Sequence, residues 1–437
     1  MRLQSDLDAI WPLRDRESLC VLDGNGARIY DRHCELAVVP ASAQKLIVAA
    51  IALHDLGPAY RFITDIASRA RIERGVLPGD LWLVGSGDPV LVSSDLRRGV
   101  KTLARSGLQR VAGGVIVDAS VLLGPERNAF WDATDAQYGF SAATSGASLD
   151  QDTTEVHVMP RVAGMPALVW LEPPSAVSLS GSAITTAVGD RTDLTVVPSG
   201  TPNSFTLSGE IAAGARETIL YAPITGIPRY VGDVLTLMLR HAGIVVTRAA
   251  RLGVAPVRRL PLWRHRSPPL SAIVTKMLFE SNNHLAEQLL RTLGRHEQGR
   301  GSDAAGITAE RAALEAQQIP RPGLRLVDAS GLSAENRVSG LTLVSLLYRV
   351  ERQPGDPLFR VLPRAGVEGT VKYYRLHAAR GRIRAKSGHL TGVEALAGYA
   401  LTRRYGRFSF AFLLNTADDP SDVDARISRA VERLAEF

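Results

Sequence analysis

Lysine is the scarce residue of this chain. Of 51 Lys+Arg in 437 residues, five are lysine: Lys45, Lys101, Lys276, Lys372 and Lys386. Arginine meets the ordinary need for positive charge, and arginine does not give up its proton in a protein. A retained lysine therefore invites a reason that arginine cannot satisfy. Cysteine is scarcer still, with only Cys20 and Cys34. There is no Cys-x-x-Cys and no metal-ligand spacing, so no metal and no cofactor are expected. The two cysteines flank the turn Asp23-Gly24-Asn25-Gly26. A two-residue-loop register places Cys20 opposite residue 29 or 30, short of Cys34, so two buried free thiols are expected. No apolar run approaches the ~18 residues of a membrane span. The opening Met1-Arg2-Leu3-Gln4-Ser5-Asp6-Leu7-Asp8 has no apolar core of a signal peptide, so no export signal is read there.

What is present is ordinary globular composition, 45% hydrophobic and 22% charged, in a chain long enough for two or three domains. The formal net charge of +7 suits an acidic polymer. The arginines are scattered and no nucleic-acid motif occurs, so nucleic acid is not an expected partner. A polyanionic cell wall or a membrane surface fits the charge equally well, and charge for solubility is the plainest reading.

The texture changes twice along the chain. Residues 1–65 hold strand Ser18–Asp23, a turn, strand Ala27–Asp31 and a helix. Residues 66–255 are dominated by short strand-like runs separated by Gly, Pro, Ser and Asp, with helices expected at Ser94–Ser106 and Pro228–Ala242. Helical patterning returns from 256. It includes a helix from His284 to Leu293 stopped by Gly294, then strands Gly381–Ala385, Glu394–Thr402 and Arg407–Asn415, then a closing helix. Strands at both ends with helices between them predict one sheet built from the two ends of the chain. The expected division is 1–65 plus 256–437 as one domain. Residues 66–92 plus 155–255 make an inserted β-rich domain, and 93–154 a second, small inserted α/β domain.

The stretch Pro40-Ala41-Ser42-Ala43-Gln44-Lys45 reads as a turn feeding a helix, with Leu46, Ala49, Ala50 and Leu53 at helical spacing. Ser42 and Lys45 are three apart and share a helix face. A serine is a weak nucleophile until a neighbour takes its proton, and a lysine held neutral can do that. Ser42 is the only serine followed three residues later by lysine. Alone, the pair reads as a helix cap and a surface cation.

Two downstream elements complete an ordered set: Ser281-Asn282-Asn283 and Lys386-Ser387-Gly388. Each alone has a plain reading, a helix cap for the first and a solvated strand end for the second. Together, in this order, they resemble the Ser-x-x-Lys, Ser-x-Asn and Lys-Thr/Ser-Gly signatures of the serine penicillin-binding and β-lactamase superfamily. The spacing of 236 positions from Lys45 to Ser281 resembles that of the class C low-molecular-mass penicillin-binding proteins, the D-alanyl-D-alanine carboxypeptidase/endopeptidases of the penicillin-binding protein 4 type. The segments Leu81–Pro89, Asp328–Ser333 and Gly388–Val393 are similar to the same family.

The resemblance implies an α/β fold, a DD-peptidase domain carrying a large, mostly-β insertion. It implies Ser42 as nucleophile, Lys45 as base, Ser281 as proton relay and Asn283 as a holder of Lys45 and substrate. Lys386 and Ser387 would grip the substrate carboxylate beside Gly388. The backbone N–H groups of Ser42 and His389 would form the oxyanion hole. Peptidoglycan stem peptides would be substrates and β-lactams covalent inhibitors, in a periplasmic or other extracytoplasmic setting. His389 stands where a small hydroxyl residue is usual; its side chain is expected to be structural or solvent-facing. Lys101, Lys276 and Lys372 read as surface. The competing readings are a β-lactamase or esterase on the same fold, and an inactive cell-wall-binding relative. No Glu-x-x-Leu-Asn string supports a class A β-lactamase, and an inactive relative need not keep the five polar residues.

Overall fold

The computed structural model describes residues 2–11, 16–416 and 418–437. Two compact units emerge, Met1–Tyr60 with Pro268–Phe437, and Arg61–Ser267.

The first unit is organised on a five-stranded antiparallel sheet. Its elements in chain order are α1 (Arg2–Asp8), β1 (Glu17–Leu22), β2 (Arg28–Arg32), α2 (Lys45–Asp55), α3 (Leu270–Glu280), α4 (Asn283–Gln298), α5 (Asp303–Ala316), α6 (Gly340–Glu351), β3 (Ile383–Leu390), β4 (Val393–Leu401), β5 (Arg407–Asn415) and α7 (Pro420–Glu436). The strand order is β2-β1-β5-β4-β3, so the first strands of the chain pair with its last, Cys20 facing Ala411. One face packs on the terminal helices. α7 lays Val423, Ile427, Val431 and Leu434 down one stripe, and they meet Leu3, Leu7, Trp11, Phe410 and Phe412 in a single buried cluster. Each fully buried Leu, Ile or Phe there contributes about 1.5–3 kcal/mol. The other face receives α6, tied by Tyr399 Oη donating to Leu347 O at 2.8 Å and by Gly340 N donating to Ser18 Oγ at 2.8 Å.

Three local expectations change. β3 runs on to Leu390 rather than ending at Ala385, so Lys386-Ser387-Gly388 lies inside a strand paired residue by residue with β4, not at a solvated end. α4 does not stop at Gly294 but continues to Gln298 and ends at Gly299. Gly294 serves a close helix approach instead, since a Cβ there would lie 2.6 Å from Gly306 N on α5. Cys20 and Cys34 are bonded to each other, not free thiols, with Cα atoms 5.1 Å apart. The hairpin register pairs Cys20 with Asp31, and the left-handed residue His33 (φ 53°) then folds the chain back so that Cys34 returns toward β1.

The second unit is built around a five-stranded sheet ordered Arg251–Leu252, Val115–Asp118, Leu81–Val84, Ile63–Ser68, Leu260–Arg266. Helices Ser93–Arg105 and Ile227–His241 add Leu96, Val100, Val231 and Leu235 to its core. Smaller sheets centre on Thr153–Met159 and Ser204–Ala212, and Val156 and Phe205 belong to the same buried cluster as Leu83 and Val117. Residues 93–154 are therefore not a body of their own: Val115–Asp118 pairs in parallel with Leu81–Val84, a strand outside that range. The unit boundaries fall at 60/61 and 267/268 rather than at 65 and 256. The reason is that Ile63–Ser68 and Leu260–Arg266 pair with each other within the second unit.

Candidate active site

Ser42 lies in a single turn of tight three-residue-per-turn helix, Ala41–Gln44, that runs straight into α2. Positions three apart eclipse one another in such a turn. Lys45 Nζ accordingly sits 2.9 Å from Ser42 Oγ. Ala41, just before the nucleophile candidate, is held in the left-handed region at φ 45°. That conformation costs of order 1–3 kcal/mol and persists only where surroundings enforce it. Gly331 enforces it from one side: it packs against the carbonyl of Ala41 so closely that no Cβ fits. Gly388 on β3 closes in from another, where a Cβ would lie 2.8 Å from Ser42 N and 2.9 Å from Ala43 N.

Lys45 is wholly buried, as is every residue of α2 through Leu53. Its amine meets three oxygens: Ser42 Oγ at 2.9 Å, Asn283 Oδ1 at 2.6 Å and Ser330 O at 2.7 Å. Burial pushes its pKa down to about 7, against the opposing pull of Asp328 and Glu287. Lys386 is also wholly buried and donates to Ser387 O at 2.5 Å. Burial, then the neighbouring charge of Lys45, pushes its pKa well below the usual lysine value. The two buried lysines of this chain are thus the two in the motifs. Lys101 and Lys372 are exposed, and Lys276 pairs with Glu280 at the surface.

α3 ends at Ser281, in left-handed conformation at φ 56°. The expected cap falls to Asn282, whose side chain accepts from Leu285 N at 3.0 Å and starts α4. That frees Asn283, the next residue, to reach Lys45. Ser387 Oγ on β3 lies 2.8 Å from Thr370 Oγ1. The His389 side chain is 66% exposed and its Nδ1 meets Glu394, so its imidazole faces solvent.

Sequence reasoning passed over several residues that complete the arrangement. Glu287, buried on α4, accepts from Ala329 N at 3.1 Å and from Ser330 N at 2.8 Å. Asp328 accepts from Gly331 N and Ser333 N, both at 2.8 Å, and from Asn336 Nδ2. Gln44 Nε2 donates to Asn336 Oδ1 at 3.2 Å and to the Asp328 carbonyl. Thr370 supplies a second hydroxyl beside the third motif. One signal was legible: Asn283 and Glu287 are four apart and share a face of α4.

Comparison with known proteins identifies the family. The family model described as D-Ala-D-Ala carboxypeptidase 3 (S13) matches residues 17–436. A D-alanyl-D-alanine carboxypeptidase of Actinomadura sp. is 32% identical, over 100% of this chain and 85% of that protein. The crystal structure of penicillin binding protein 4 (dacB) from Haemophilus influenzae superposes with a TM-score of 0.83 at 24% identity, covering 99% of this chain and 98% of that one. The same protein complexed with a β-lactam gives 0.79 at 24% identity, with the same coverage of both chains. With nearly its whole length matched by one family model, the chain belongs to the D-Ala-D-Ala carboxypeptidase 3 (S13) family.

Proposed function

We propose that Ser42 is the nucleophile and Lys45 the general base of a serine DD-peptidase acting on peptidoglycan stem peptides. Membership of the S13 family makes the chain a serine-type D-Ala-D-Ala carboxypeptidase. The observation that carries the residue assignment is the buried amine of Lys45, brought down to about 7 and set 2.9 Å from Ser42 Oγ. A lysine in water is almost wholly protonated at neutral pH and could accept nothing. Asn283 Oδ1 and Ser330 O only accept, so a neutral amine spends its two hydrogens on them and turns its lone pair to the Ser42 hydroxyl.

In the acylation step the Ser42 oxygen bonds to the carbonyl carbon of the penultimate D-alanine while its proton passes to Lys45. The C–N bond then breaks, and the departing amine takes up a proton relayed through Ser281. Water, with the base acting again, cleaves the ester. The developing oxyanion would be held by the N–H groups of Ser42 and His389, a reading supported by the close packing of Gly388 on the Ser42 backbone. Lys386, Ser387 and, beside it, Thr370 would receive the terminal carboxylate, whose charge restores the proton that burial drives from Lys386.

The reading places the protein outside the cytoplasmic membrane, where this substrate lies. The Cys20–Cys34 bond supports that setting, because disulfides persist in oxidising compartments. Among the described residues no helix is long and apolar enough to cross a membrane.

The test is intact-mass measurement after exposure to a penicillin. A β-lactam opened by a serine leaves no diffusible product, so one adduct is expected, mapped to Ser42 and absent in Ser42→Ala. An adduct on another residue overturns the assignment.

A further inference from the structure

We infer that Glu287 is a positioning residue that anchors the Ser330 carbonyl on the Lys45 amine, so aiming the amine at Ser42. The inference rests on the proposed role of Lys45 and goes beyond it.

The chain of contacts is short and fully buried. Glu287 Oε1 accepts two consecutive backbone N–H groups, Ala329 at 3.1 Å and Ser330 at 2.8 Å. Those two bonds fix the peptide whose carbonyl, Ser330 O, accepts from Lys45 Nζ at 2.7 Å. Asn283 Oδ1 takes the amine from the same helix α4, one turn before Glu287. One helix face therefore governs two of the three contacts of the amine: one directly, the other through Glu287. Without these two acceptors the amine is free to rotate its hydrogens toward Ser42 and lose its function as a base. The segment Asp328–Ser333 is also held by its own turn bonds to Asp328 and by Gln44 and Asn336.

The carboxyl is suited to the task as an acceptor rather than as an ion. Its other oxygen, Oε2, has no hydrogen-bond partner among the described residues. Burial, then Asp328 and Asp303, raises its pKa to about 8. Glu310, on the antiparallel neighbour α5, is wholly buried and also raised, by burial and then by Glu287 and Asp328. The groups that bear on Lys45 are thus Glu287 on α4, Asp328 in the following loop and Lys386 on β3. Asp328 and Glu287 pull the Lys45 pKa upward, and burial outweighs that pull.

Three variants test this by stopped-flow acylation with a chromogenic β-lactam across pH. Glu287→Met keeps the packing volume and removes the acceptor. Deleting a buried acceptor costs about 1–3 kcal/mol, so the limiting acylation rate should fall about 5- to 150-fold, with little change in the concentration dependence. Glu287→Gln keeps an acceptor oxygen and should restore most of the lost rate. Glu287→Asp draws the acceptor back by one methylene and should slow acylation, which keeps the test open should the Met variant unfold. Parental rates in the Met or Asp variant overturn the inference, as does a Gln variant as slow as Met. Ser42→Ala and Lys45→Met are run alongside. If those two acylate normally, the proposed function fails; if they are inert while Glu287→Met is parental, only the role of Glu287 fails.

Discussion

Lys45 Nζ lies 2.9 Å from Ser42 Oγ because a three-residue-per-turn segment eclipses the two side chains immediately before α2 begins. In a regular α-helix, positions three apart are offset by about 60° around the axis. The tight turn removes that offset. The left-handed Ala41 that permits the turn is held in place by two glycines from elsewhere in the fold.

Lys45→Met should remain folded and lose about 10²–10⁴-fold in acylation rate, the usual contribution of a general base. Methionine matches the length of the stem and carries no nitrogen. Lys45→Arg is a less clean probe, because the site is wholly buried and a guanidinium is larger than an ammonium. Stopped-flow acylation with thermal melting as the fold control decides it. A Met variant that acylates at the parental rate removes Lys45 as base.

Acylation should rise with pH through a midpoint near 7. The folded pKa of Lys45 is lowered to about 7, so below that pH the amine is protonated and cannot accept from Ser42, and above it the lone pair is free. The rate of adduct formation measured from about pH 5.5 to about pH 8.5 should trace one such limb. A flat profile would mean that another group takes the proton.

Gly331→Ala should lower both stability and acylation. Gly331 sits at φ 74° and its missing Cβ leaves room for the carbonyl of Ala41. The backbone penalty alone exceeds about 1 kcal/mol. Relief of the clash displaces Ala41, and with it Ser42. Melting and acylation measured on one preparation should both fall. Parental acylation at a lowered melting point would show that the Ser42 turn does not depend on this contact.

Reducing the Cys20–Cys34 bond should destabilise the first unit. The cysteines are 14 residues apart, and closing a loop of that length contributes about 3 kcal/mol in the chain-entropy account. Denaturant unfolding with and without reductant measures the difference. Equal curves, with two thiols already titratable before reduction, would show that the bond does not form.

The sequence by itself determined which residues are the candidates for the chemistry. Ser42 with Lys45, Ser281 with Asn283, and Lys386 with Ser387 stand in order, and two of five lysines fall in the set. It also determined that the two ends of the chain share a sheet, since strand periodicity at both ends leaves few other partners. Helix and strand periodicities are local, so they survive without knowledge of the fold. Only the tertiary structure decided what surrounds Lys45. Its contact with the Ser330 carbonyl joins residues 285 apart in the chain, the anchoring of that peptide by Glu287 spans another 43, and no local pattern encodes which peptide faces which amine. The cysteine bond depended on the left-handed turn at His33, a non-glycine residue that gives no warning of positive φ. Gly294 reads as a helix stop until α5 is seen packed against it. A glycine's missing side chain serves a turn or a close approach equally well, and only the neighbour shows which.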